Sequence, residues 1–137
     1  MVGENLLDYV RTYNGLVDKS FCETVIETFH ESDSEYIDRE QRPSFTELNI
    51  SQRFLAKDIQ WVKIQNTLTD VFVDAVEKYM DDLDLGPDFP SKYAFEEHRL
   101  KMYKNNSHDQ FKSHVDVGDY RSARRFLVCF LYLNTVS

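Results

Sequence analysis

The sequence predicts an α+β domain with its helices ahead of its strands, and three observations carry that reading. Two apolar stripes at helical spacing occupy the first 85 residues, over Phe21–Phe29 and Trp61–Leu83. A break containing Gly86, Pro87 and Pro90 follows. Beyond it the apolar residues alternate, and they end in the run Phe126 to Leu133. Helices first and strands after favour α+β over an alternating α/β order.

The elements follow in order. Residues 8–13 read as a weak strand, with Tyr9 and Tyr13 separated by polar positions. A helix is expected over Lys19–Glu31, with Ser20 and Glu23 as a capping box and Phe21, Val25, Ile26 and Phe29 as its buried stripe. Residues 32–53 read as a polar connection, with short strand character at Phe45–Ile50. The longest helix runs over Asp58–Leu83, its face formed by Trp61, Ile64, Leu68, Val71, Phe72, Ala75, Val76, Tyr79 and Leu83. Gly86 and Pro87 are expected to end it.

After the break, Tyr93–Tyr103 reads as a strand with Leu100 and Met102 on one face and Arg99, Lys101 and Tyr103 on the other. Lys104–Gln110 is a turn, Val115–Val117 a short strand and Gly118–Ser122 another turn. Arg125–Asn134 reads as a strand buried on both faces.

Bulk properties narrow the class. The 137 residues make one domain with room for a substantial core. A net charge of −8 argues against binding a nucleic-acid backbone, which needs clustered Lys and Arg. The two cysteines, Cys22 and Cys129, lie far apart in apolar contexts and read as buried free thiols. Met1–Asn5 shows no signal-peptide pattern, and no apolar run is long enough to span a bilayer. A reducing, cytoplasmic setting is the resulting expectation.

The chemistry centres on His114 and Asp116. Two residues apart on a strand, an imidazole and a carboxylate project to one side and supply two corners of a 2-His-1-carboxylate iron site. The competing reading is an ordinary His–Asp hydrogen bond at a turn, since a His-x-Asp pair arises readily by chance in an acidic chain.

The ordered set Leu100-Lys101-Met102-Tyr103, a polar turn, Phe111-x-x-His114-x-Asp116, then Cys129-Phe130-Leu131-Tyr132-Leu133-Asn134 resembles the prolyl-4-hydroxylase-like branch of the Fe(II)/2-oxoglutarate-dependent dioxygenases. The resemblance covers roughly residues 93–136. It implies a double-stranded β-helix (jelly-roll) core, with residues 1–90 as helical support and 91–137 as its first strands, all in one domain. It also implies His114 and Asp116 as iron ligands, with Tyr103 and Tyr132 contacting the 2-oxoglutarate. Phe126, Val128, Phe130 and Tyr132 would then face the barrel interior. Fe(II) and 2-oxoglutarate are the implied cofactor and cosubstrate, ascorbate a candidate addition, and dioxygen with a peptide or small molecule the other reactants.

The chain departs from the pattern at two points. Phe111 stands where the family often has Tyr, and no histidine follows Asp116 to supply the second imidazole. Arg121, Arg124 and Arg125 come too early to anchor the cosubstrate and read as a solvated rim. Neither His30, His98 nor His108 is spaced to replace the missing ligand, and His108 reads as a surface residue. The expectation is therefore a truncated or split oxygenase, inactive alone, whose apolar Phe126–Leu133 edge invites self-association or a complementing chain. A non-enzymatic interaction module or inactive fragment retaining half of the barrel is the alternative.

Overall fold

A computed structural model describes residues 5–40 and 42–135. Met1–Glu4, read above for a leader, and Val136–Ser137, where the family resemblance ends, lie outside the described residues. The protein is a mixed α+β structure with three helices and one three-stranded antiparallel sheet.

Helix α1 spans Lys19–Glu31 and buries Cys22, Val25, Thr28 and Phe29, close to the stripe that periodicity marks. Its cap differs from the expected one. The carbonyl of Asp18 accepts from the backbone N–H groups of Phe21 and Cys22, so the helix begins at Lys19. Ser20 is thus already inside the first turn, and no capping box with Glu23 forms.

The connection over 32–53 holds more order than its polarity suggests. Strand β1 is Glu35–Asp38, β2 is Ser44–Asn49, and the short helix α2 is Ile50–Leu55. Arg42, in the left-handed region at φ 53°, turns the β1–β2 hairpin. The Asn49 side chain caps α2 by accepting from the Gln52 N–H at 3.0 Å.

Helix α3 runs Ile59–Leu83 and buries Trp61, Ile64, Leu68, Val71, Val76 and Leu83. It ends earlier than the glycine–proline pair, at Asp84 in the left-handed region, where the Leu85 N–H returns to the Met80 carbonyl. The expected strand at 8–13 is absent. Leu6–Tyr9 form a 3₁₀ turn, and the segment is tied to α3 by side chains instead. Tyr79 donates to the Tyr9 carbonyl at 2.7 Å, and Tyr13 donates to Asp82 at 2.7 Å.

Strand β3 is shorter than its alternation suggests, Arg99–Met102, and completes the order β1-β2-β3. Its register sets Leu48 opposite Leu100 and Glu47 opposite Lys101. Sheet parity then places Thr46, Leu48, Leu100 and Met102 on one face and Phe45, Glu47, Arg99 and Lys101 on the other. The first face meets the helices: Leu48 joins Val25, Phe29, Ile50, Trp61, Ile64 and Leu68 in one core, with Leu100 and Met102 packed against it. Trp61 is fully buried, and its indole N–H donates to Ser32 Oγ at 3.1 Å.

Beyond β3 the expected strands do not pair. Val115–Val117 lies in a bend outside any ladder, and the only bridge among the described residues joins Ser44 to Gln110. Residues 126–133 also lie outside any ladder, and they are covered on one side only. Leu127, Cys129, Leu131 and Leu133 are half-buried, whereas Phe126, Val128, Phe130 and Tyr132 are exposed. That period of two is the mark of an extended chain. Aromatic residues and Val128 favour extension in this run, but local preference cannot supply a neighbouring strand.

Replacing Trp61 with Ala should destabilise the fold by about 3–5 kcal/mol, the range for emptying a buried aromatic site. Denaturant titration of both proteins, followed by far-UV circular dichroism, measures the loss. A shift below about 1 kcal/mol would place the core elsewhere.

Candidate metal centre

The second face of the sheet is covered by aromatic side chains rather than by a helix. Phe45, buried on β2, has Tyr103 at 5.5 Å and Phe111 at 6.0 Å between ring centroids. The His114 ring then stacks on Phe111 at 4.0 Å with planes 19° apart. Phe45, Phe111 and His114 therefore form a continuous series of rings rising from the sheet.

The turn before Phe111 fixes where this series stands. Asp109 accepts from the Lys104 N–H at 2.9 Å, from the Tyr36 hydroxyl at 2.8 Å and from Ser44 Oγ at 3.2 Å. The Lys104 N–H above all holds its carboxyl below the usual aspartate range, with the Tyr36, Asn106 and Ser44 bonds adding to the effect. Gln110 completes the attachment through the paired backbone bonds with Ser44.

His114 Nε2 lies 3.2 Å from Asp116 Oδ1, so the two predicted metal ligands do meet. They meet on a bend, not on a strand. The other ring nitrogen, Nδ1, lies 2.8 Å from the Lys112 carbonyl, and a proton there makes a good hydrogen bond. With the proton on Nε2 the contact is the ordinary His–Asp hydrogen bond at a bend; with it on Nδ1, Nε2 presents a lone pair to a carboxylate oxygen and a cation would be needed between them. Metal-ligating histidines commonly donate their second N–H to a carbonyl in this way. The spacing also fits, since metal bonds of about 2.1 Å meeting at a right angle separate two donors by about 3 Å. Both side chains are nearly half exposed, at 44% and 49%.

Two basic side chains flank the pair. The Lys101 ammonium lies 4.7 Å from the centre of the Phe45 ring and 5.1 Å from that of Phe111. Among the described residues it has no ion pair within 4.0 Å, and desolvation pushes its pKa down. Its neighbour Arg99 is engaged by Glu47 and, at 3.2 Å, by Glu97. Arg125 donates to both Glu96 oxygens, at 2.6 and 2.9 Å, and to the Asp116 carbonyl at 2.8 Å. It is thus bound into the site and is not part of a free rim.

The remaining predicted residues divide. Tyr103 shares the Phe45 platform, and burial pushes its phenol pKa up. Tyr132 stands 78% exposed on the outward face of the C-terminal run, without a hydrogen bond among the described residues. His108 is held away from His114 by Asp38 at 3.0 Å and Arg42 at 3.2 Å. His98 packs edge-on against Phe72 and Phe95. No group of three or more His, Cys, Asp or Glu side chains converges to hold a metal among the described residues.

Lys101 was legible in principle, because strand parity places it on the face of Arg99 and Tyr103. Phe45, Glu96 and Arg125 join the site through contacts distant in sequence, and no local pattern announces them.

Comparisons with protein-family models, with curated proteins and with solved structures gave no match to this chain. No helix of the described residues is long and apolar enough to cross a membrane.

The Asp109 attachment predicts a pH dependence. Its carboxyl is depressed in the folded state, so its contribution is full above the ordinary aspartate value of 3.8 and fades as pH falls through the depressed one. An NMR titration should find the Asp109 carboxyl below 3.8 in the native protein and back near it in Tyr36→Phe/Ser44→Ala only in part, because the Lys104 N–H persists. An unshifted native carboxyl would refute the attachment.

Proposed function

We propose that this chain carries part of the metal site of a 2-oxoglutarate- and Fe(II)-dependent dioxygenase of the prolyl-4-hydroxylase-like type. The observation that carries the reading is the approach of His114 Nε2 to Asp116 Oδ1 at 3.2 Å, on a ring series seated on the sheet. A nitrogen and a carboxylate oxygen at that spacing suit adjacent positions on an iron(II) ion. A third protein donor does not converge on this pair among the described residues. Bound iron would supply the activation of dioxygen, one oxygen atom going into succinate as 2-oxoglutarate loses carbon dioxide and the other into the hydroxylated substrate C–H bond.

This chain's own side chains have definable tasks in that reading. His114 and Asp116 would hold the metal, with the Lys112 carbonyl orienting the imidazole. Lys101 and Tyr103 face the same platform and would attract the carboxylates of the cosubstrate, Lys101 by charge and Tyr103 by its hydroxyl. Tyr132 would contribute only if the C-terminal run were drawn in over the site. Phe111 and Phe45 would provide the apolar floor.

Manganese(II), an air-stable stand-in, tests the metal. The full chain should bind it weakly, His114→Ala should lower the affinity at least about tenfold, and 2-oxoglutarate should raise it in the parent but less in Lys101→Met. Metal binding indifferent to His114 would sink the reading. Little succinate is expected from this chain with Fe(II) and 2-oxoglutarate, and robust turnover would overthrow the two-donor description.

A second reading, an interaction module that completes its sheet with another chain, is favoured by one observation. Phe126, Val128, Phe130 and Tyr132 stand exposed on a segment that lies outside any ladder. It predicts concentration-dependent association on size-exclusion chromatography with light scattering. Phe130→Lys should abolish it, and a concentration-independent monomer would count against it.

A further inference from the structure

The two proposed metal donors sit on a segment with very little to hold it. From Lys112 to Val117 the described hydrogen bonds within the segment are His114 to the Lys112 carbonyl and His114 to Asp116. The hydrogen bond that ties this segment to the rest of the described molecule comes from Arg125, whose Nη1 donates to the Asp116 carbonyl at 2.8 Å. The same guanidinium grips Glu96 through Nε at 2.6 Å and Nη2 at 2.9 Å, a two-pronged contact that fixes its plane.

Glu96 stands on firm ground. Two residues on, the His98 carbonyl accepts from the Ile50 N–H at 2.9 Å and the Ser51 N–H at 3.3 Å, and the His98 N–H donates to Ser51 Oγ at 2.8 Å. The start of β3 is thereby bolted to the start of α2, where Ile50 belongs to the core. A path of short contacts therefore leads from the core through His98, Glu96 and Arg125 to the backbone of Asp116.

We infer that Arg125, held in plane by Glu96, is a positioning residue that sets where the Asp116 carboxylate points relative to His114. The inference rests on the reading of His114 and Asp116 as metal donors. It assigns Arg125 no contact with metal or cosubstrate. Its work is to fix one peptide unit, and a carboxylate one side chain away follows that unit.

The role differs from that of a simple ion pair, and the difference can be tested. Exchanging the charges by Glu96→Arg with Arg125→Glu restores an attraction between the two positions. A glutamate at 125 has no N–H to give the Asp116 carbonyl. Arg125→Ala, Arg125→Lys and the exchanged double variant are compared with the parent in the full chain by three measurements. These are thermal unfolding, amide hydrogen exchange over Ser113–Val117 without metal, and manganese(II) affinity.

The exchanged protein should unfold at the parent's temperature, yet show Ser113–Val117 exchange as fast as in Arg125→Ala. Its manganese(II) affinity should fall about tenfold or more. Arg125→Lys, which can reach one partner at a time, should lie between the two. Parental exchange and metal affinity in the exchanged protein or in Arg125→Ala would overturn the positioning role and leave the metal reading standing. A parent that binds manganese(II) no better than His114→Ala would overturn the metal reading, and the positioning role with it.

Discussion

Strand β2 has to be covered on both faces, and most of the structure can be understood as two different answers to that requirement. Residues Ser44–Leu48 are all buried, although Phe45 and Leu48 are the only apolar residues among them and lie on opposite faces. On one face Leu48 is sealed by α1, α2 and α3 through a continuous aliphatic core around Trp61. On the other, Phe45 is covered by the rings of Tyr103 and Phe111 together with the ammonium of Lys101. The polar residues of the strand are satisfied in place, Glu47 by Arg99 and Ser44 by Tyr36 and Asp109. Helices answer the first requirement with bulk; a loop answers the second with aromatic rings.

That asymmetry explains why the candidate centre lies where it does. Phe111 is drawn to Phe45 by burial, and His114 is three residues further along the same segment, stacked on the outer side of the series. The position of the imidazole is thus a by-product of covering the strand. Asp116 is not carried along by stacking; its backbone carbonyl accepts from Arg125. His114 and Asp116, two residues apart, are thus held by different contacts, one a ring stack and one a hydrogen bond.

The sequence disclosed what local periodicity can encode. Helices α1 and α3 announce themselves through apolar spacing sustained over several turns, and Trp61, Ile64 and Leu68 fall in the core as that spacing implies. Strand β1, Glu35-Tyr36-Ile37-Asp38, carries a single strongly apolar residue and owes its place to pairing with β2, which no local pattern reports. The reverse failure occurs at Val115–Val117 and at Phe126–Leu133. There the residues favour extension, but a ladder needs a second strand at the right distance. The site shows the same division. The spacing of His114 and Asp116 brought them together, though through a bend instead of a strand, while Glu96 and Arg125 are linked only by the fold. Motif order and strand parity place Tyr132 with Phe126, Val128 and Phe130, and that shared face is the exposed one.

The sole tryptophan, Trp61, has a spectroscopic consequence. It sits fully inside the helical layer, with its indole hydrogen bonded to Ser32, on the side of β2 opposite the ring series. Tryptophan fluorescence, excited selectively over the tyrosines, is therefore a reporter of one layer. Loosening of the Phe111–Asp116 segment would leave the emission spectrum unchanged, and a fluorescence melt would register only the collapse of the helices. Optical readouts of the site must come from a probe placed there deliberately.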